Sequence, residues 1–242
     1  MIKKLLALTS VGALLAFQAF AGPVNSGYYA GLSLGSVTGD LTQSSIYNTS
    51  LDEIAIGGSQ SKVTNVFGAN FFVGYNINTY FGVELGYLST GQFEIAANGE
   101  NVNIIDQTTF NSVNFVERVT GFDAMLVGHL PLAQLTPKLQ GVSVYAKAGM
   151  AMLSENSTGS SSYVTTNNAT GEVTSGSFSG TQTTSGTVFA YGLGADYALP
   201  MVQGLHVSLD YFSTQSYENA DRNNYGYIPA LQMIGLGVTY HF

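Results

Sequence analysis

From residue 28 onward, apolar side chains return at every second position in blocks of about ten residues, a period that marks strands and not helices. Eight such blocks can be read: Tyr28–Val37, Val66–Asn76, Phe81–Ser89, Val119–Leu130, Val142–Met152, Val188–Tyr197, Leu205–Phe212 and Ile234–Phe242. Each is near the roughly 9–11 residues that a tilted strand needs to cross a bilayer. One parity is apolar, as in Phe67, Ala69, Phe71, Val73 and Tyr75, or Phe81, Val83, Leu85 and Tyr87. The other parity is mostly glycine and polar residues, with an occasional large ring such as Tyr29, Phe72, Tyr145 or Phe212.

The gaps between blocks alternate in length. Short connections follow the second, fourth and sixth blocks, and Pro131, Pro137, Pro200 and Gly204 lie in two of them, where such residues suit turns. Long polar stretches follow the first, third, fifth and seventh. This spacing predicts an all-β fold, an eight-stranded antiparallel up-and-down transmembrane β-barrel with short periplasmic turns and long extracellular loops. Closure leaves no strand edge in lipid, where each unpaired backbone group costs several kcal/mol. Tyr28, Tyr75, Phe81, Tyr197, Tyr240 and Phe242 fall at the short-turn ends, and Phe67, Tyr87 and Tyr211 toward the long-loop ends, as two aromatic girdles would require.

Composition narrows the environment. Charged residues make up 9% of the chain, against about 25% in ordinary soluble domains, so a water-soluble β-sandwich is disfavoured. With 15 Tyr and 14 Phe, the chain is too aromatic to be disordered throughout. At the start, Lys3 and Lys4 precede an apolar run from Leu5 to Phe17 and the small-residue site Ala19-Phe20-Ala21. Residues 1–21 are therefore expected to be a cleaved secretory signal peptide, and residues 22–242 a single barrel domain. The leader holds two lysines and no acid, so its loss moves the formal net charge from −8 to −10. A nucleic-acid partner is not expected on such a surface. Zero cysteines exclude a disulfide framework.

Parity sends Glu84, Asp123, Lys147, Asp196, Asp210, His129, His206 and His241 into the lumen, away from lipid. An eight-stranded interior is only wide enough to be filled by side chains. The expected arrangement is a hydrogen-bonded plug of Glu84, Asp123, Lys147, Asp196, Asp210 and His206, with Lys147 neutralising Glu84 or Asp123; the alternative is a gated ion path. His206, Ser208 and Asp210 share one strand face, but neighbours there stand about 6–7 Å apart, beyond the roughly 2.6–3.2 Å reach of general-base catalysis. No catalytic group is assigned. Gly192-Leu193-Gly194 and Gly235-Leu236-Gly237 lie within strands and are not phosphate loops. The three histidines, far apart in sequence, give no metal-ligand spacing, and no cofactor is implied.

Two long stretches, Gly39 to Asn65 and Leu153 to Thr187, are Ser/Thr/Gly/Asn tracts expected to form hydrated covering. The stretch Thr214–Pro229 differs, because Tyr217, Tyr225 and Tyr227 sit among Glu218, Asp221 and Arg222. Tyrosine offers adaptable contact area at low entropic cost, so these three are the candidate contact residues for a host or surface ligand.

Several words carry a family resemblance: Gly27-Tyr28-Tyr29-Ala30-Gly31, Phe72-Val73-Gly74-Tyr75-Asn76, Val83-Glu84-Leu85-Gly86-Tyr87, Gly192-Leu193-Gly194-Ala195-Asp196-Tyr197 and the closing Gly237-Val238-Thr239-Tyr240-His241-Phe242. Across the whole mature chain they resemble the small outer-membrane β-barrel family of OmpA-type membrane domains, OmpX-like proteins and opacity-type porins. The resemblance implies residence in the outer membrane of a Gram-negative bacterium, amid lipid and lipopolysaccharide. It also implies insertion by the barrel-assembly machinery, with Val238, Tyr240 and Phe242 as the signal, and a role in envelope integrity, adhesion or host interaction. An OmpW-like narrow channel for ions or small apolar solutes is the alternative, and an outer-leaflet lipid-modifying enzyme a remote one. The chain ends with its last strand, so the cell-wall tether of full OmpA proteins is not expected.

Overall fold

The computed structural model describes residues 27–39, 59–103, 107–219 and 226–242; the expected leader and Tyr225 lie outside them. Twelve strands follow in order: β1 (Gly27–Gly39), β2 (Ser59–Val63), β3 (Asn65–Asn76), β4 (Phe81–Thr90), β5 (Phe93–Asn103), β6 (Gln107–Pro131), β7 (Val142–Asn167), β8 (Val173–Ala198), β9 (Leu205–Thr214), β10 (Tyr217–Asn219), β11 (Gly226–Ile228) and β12 (Leu231–His241). Eight of them close an antiparallel ring, β1-β3-β4-β6-β7-β8-β9-β12 and back to β1. The closing seam runs from Tyr29↔His241 to Gly39↔Leu231, and the Phe242 amide donates to the Tyr28 carbonyl at 3.0 Å. The chain end is thus held by the first strand.

The short turns have local causes. In the β3–β4 turn, Asn78 Oδ1 accepts from the amides of Tyr80 and Phe81 at 2.7 and 2.9 Å, an Asx arrangement that replaces backbone pairing. Between β8 and β9 the chain turns at Gly204 with φ +80°, a left-handed conformation that costs glycine nothing. Along the strands the outward parity is apolar and bare, with Leu126 69% and Leu236 71% exposed. An apolar belt of this extent is stable only against hydrocarbon. Rings pair along both rims of the belt: Tyr28–Tyr75 at 4.9 Å and Tyr240–Phe242 at 5.2 Å at the short-turn end, Tyr87–Phe122 at 4.9 Å at the other.

The expected loops are largely strand. β6, β7 and β8 span 25, 26 and 26 residues and run well past the belt. β7 and β8 stay in unbroken register from Val142↔Tyr197 to Thr166↔Val173. β5 pairs with the far part of β6, and β2 with β5, so a five-stranded sheet stands above the ring. Tyr163, Val164, Thr165 and Thr166 and the threonines of β8 favour extended backbone, so this Ser/Thr/Gly tract forms paired strands where its composition predicts hydrated loop. Beyond Ala190 the second edge of β8 has no strand partner among the described residues.

The interior also departs from a wholly polar filling. At the long-loop end, Val37, Leu88, Phe93, Leu153, Phe212 and Leu231 belong to one buried apolar cluster. Ile95 and Ala97 from β5 and Ile228 from β11 also belong to it. These last three lie in stretches expected to be loop, which hid the cluster from a strand-by-strand reading.

Candidate functional site

The polar half of the lumen is built around Lys147 on β7, whose ammonium meets Oε1 and Oε2 of Glu84 on β4, two strands away round the ring, at 2.8 and 3.0 Å. The Tyr29 hydroxyl donates to the same carboxylate at 3.2 Å. Phe72 and Tyr145 face the ammonium with ring centres 4.6 and 5.2 Å away, a cation–π setting that partly replaces its lost hydration. Tyr145 in turn donates to Asp210 Oδ1, and Ser208 donates to Asp210 Oδ2 at 3.0 Å. Glu84, Lys147 and Asp210 are thereby linked through aromatic side chains. Asp123 stands apart, 4% exposed and beside Gly86, with neither oxygen hydrogen-bonded.

A second cluster lies nearer the short turns. His206 Nδ1 pairs with Asp196 Oδ2 at 2.7 Å. The His206 and His241 rings are 4.3 Å apart, and His241 stacks on Tyr29 at 5.3 Å. His129 packs 5.9 Å from Tyr145. All three line one cavity of about 330 Å³ bounded toward the turns by Asn78, Pro131 and Gly141. Parity puts all three histidines in the lumen, and the closed ring brings β6, β9 and β12 to one cavity although His129 and His241 are more than a hundred residues apart. Among the described residues no three His, Cys, Asp or Glu side chains are arranged to hold a metal.

The Ser208–Asp210 bond corrects a second expectation. Same-face side chains on one strand can lean along it and meet, despite the spacing of their Cα atoms. In that contact Ser208 donates to the Asp210 carboxylate, and the hydrogen bond of His206 runs to Asp196.

At the long-loop end, just beyond the apolar belt, Glu117 and Glu155 are both buried, at 4% and 6% exposure. They occupy diagonal positions on the inward faces of β6 and β7. Burial, and secondarily the nearby Glu117 carboxylate, pushes the Glu155 carboxyl up to about 8, so at neutral pH it keeps its proton. The two described loop tyrosines turn inward. The Tyr217 ring lies against Gly186, and Tyr227 is only 8% exposed. Tyr227 therefore packs the end of the barrel and does not fit a contact residue.

A family model for the outer membrane protein beta-barrel domain matches residues 5–242. The chain belongs to that family. The barrel accordingly resides in the outer membrane of a Gram-negative bacterium. Among solved structures it is similar to Ail, the attachment invasion locus protein of Yersinia pestis, at 13% identity, covering 88% of this chain and 98% of that one with a TM-score of 0.36. Neisserial surface protein A is 11% identical, with 90% and 99% covered and a TM-score of 0.40. OprG of Pseudomonas aeruginosa is 14% identical, with 90% and 98% covered and a TM-score of 0.38. No curated protein matches the chain in sequence. In family members of this kind short turns face the periplasm; by that rule the histidine-lined cavity opens inward and the five-stranded sheet stands outside the cell.

Proposed function

We propose that this barrel is a surface-contact protein of the outer membrane whose lumen does not conduct, the contacts being made by the sheet that projects beyond the bilayer. The observation that carries the reading is the buried apolar cluster of Leu88, Phe93, Leu153, Phe212 and Leu231 at the outer end of the lumen. Water and ions would have to cross it, because on β6 and β7 it separates Asp123 and Lys147 below from the buried Glu117 and Glu155 beyond. The projecting sheet supports the contact half of the proposal. From Val173 to Thr187 β8 carries no charge and no proline, the usual devices by which proteins blunt an unpaired strand edge. Lipid and lipopolysaccharide would surround the belt, and Val238, Tyr240 and Phe242 would present the barrel-assembly signal.

Planar-bilayer recording of the reconstituted mature protein should show no discrete openings. Reproducible large openings would overturn the plugged reading and favour a narrow path for ions or a small apolar solute, fed by the acid-bearing inner cavity. The contact half is tested separately: bacteria displaying the barrel should bind host cells more than bacteria lacking it, and equal binding would dismiss it.

A further inference from the structure

The inward face of the projecting sheet carries two rings that its packing does not consume. Phe178 on β8 is 74% exposed, its ring edge 3.7 Å from where a Cβ would stand at Gly180. Tyr163 on β7 lies over Gly176, as rings often do to shield a strand glycine, yet it remains 45% exposed. Register places Tyr163 opposite Gly176 and Ser161 opposite Phe178, so the two residues are diagonal neighbours about 7–8 Å apart, Tyr163 leaning over Gly176 and Phe178 toward Gly180. Together they form an apolar strip along β8 from Gly176 to Gly180.

What surrounds the strip is uncharged and rich in hydrogen-bonding groups. Asn111 lies beside Tyr163 on β6, and Ser161, Thr174 and Gln182 share the same face. Above Glu117 and Glu155, no charged residue of β6, β7 or β8 has the inward parity among the described residues. Each class of ligand meets this surface differently. A polyanion requires lysines or arginines, which β6, β7 and β8 do not place on this face beyond the two glutamates, Lys62 standing opposite Ile95 on β2, four strands from β8; a lipid tail requires a wider apolar area than two rings. A partner strand would use the edge of β8 and leave Phe178 idle. An uncharged sugar has both matching features: a face of C–H bonds that packs on an aromatic ring, and hydroxyls that suit amide and hydroxyl side chains.

We propose that Phe178 and Tyr163 form a platform that binds an uncharged oligosaccharide, with Asn111, Ser161, Thr174 and Gln182 as its hydrogen-bonding rim. The inference rests on the surface-contact reading and names its ligand class. The preformed sheet supplies the site without ordering a loop, which favours recognition of a small, weakly held ligand.

The test uses the full mature protein in nanodiscs against immobilised neutral oligosaccharides built from N-acetylglucosamine, galactose or mannose, with heparin as the anionic control. At least one neutral oligosaccharide should bind, with affinity unchanged as salt is raised, because no charge pairing is involved. Phe178→Ala should weaken binding by about tenfold or more, Tyr163→Ala should weaken it as well, and Phe178→Tyr should retain it. Unheated gel migration of each variant verifies folding. Binding indifferent to both alanine variants, or binding only to heparin and lost in salt, overturns the platform. If no neutral sugar binds while displayed barrels still adhere to host cells, the sugar assignment falls and the contact reading stands. If displayed barrels adhere to nothing, the contact reading itself falls.

Discussion

Replacing Lys147 by methionine removes the ammonium that Glu84 faces at 2.8 and 3.0 Å while leaving the shape of the lumen nearly unchanged. Glu84 has a side-chain exposure of 2%, and only the Tyr29 hydroxyl is left to satisfy it. Breaking one half of a buried ion pair costs about 3–5 kcal/mol, because the remaining charge is neither hydrated nor paired. With a urea slope of about 1–3 kcal/mol/M, the unfolding midpoint of Lys147→Met should fall by at least about 1 M, read from the folded and unfolded bands of unheated samples. Phe72 and Tyr145 flank the vacated position and accept a thioether without strain. Adding Glu84→Gln should therefore recover most of the loss, since a pair removed whole is often close to neutral. A single variant as stable as the parent, or a double variant no better than the single, would refute the assignment of the loss to an orphaned carboxylate.

Glu155 predicts a pH dependence. Its carboxyl, raised to about 8, binds a proton in the fold at pH values where the unfolded chain has released it, so stability falls as pH rises from about 4.5 to 8 and levels off above. At pH 7 the penalty is about 3 kcal/mol; Glu155→Gln should abolish the slope in urea titrations across that window, and an unaltered slope would contradict the burial argument. Leu231→Ala, which opens space in the apolar cluster, should destabilise the barrel by about 2–5 kcal/mol in urea. Gly35→Val should prevent ring closure, because a Cβ there meets the backbone of Ile234 and Gly235 across the seam, and the unheated sample should migrate as unfolded protein.

The eight crossing segments were legible because lipid enforces parity: one misplaced charge on the outward face is costly, so the alternation is kept clean wherever hydrocarbon lies outside. Past the belt that pressure ends. Ser157, Gly159 and Ser161 alternate with Thr158 and Ser160, a pattern without hydropathy contrast, so nothing in it announces the long hairpin. The position of Lys147 in the lumen followed from parity alone, whereas its choice of Glu84 depends on the register of β3, β4, β6 and β7, which no single strand reveals. Parity likewise puts His129, His206 and His241 in the lumen, but their sharing of one cavity follows from the closed ring and not from any single strand. Tyr227 is buried, a role the sequence does not disclose because a tyrosine among charges reads alike whether it faces a partner or caps a core.

The β7–β8 hairpin continues for about fifteen residues past Met152, roughly 50 Å of strand path at about 3.4 Å per residue. A pair of hydrogen-bonded ribbons of that length does not collapse onto the membrane as a flexible tether would. It acts as a stalk, lifting its tip clear of the headgroup layer and keeping it at a constant height. Reach is then written into the covalent length of two strands, so trimming both by the same even number of residues would lower the tip without turning either face around.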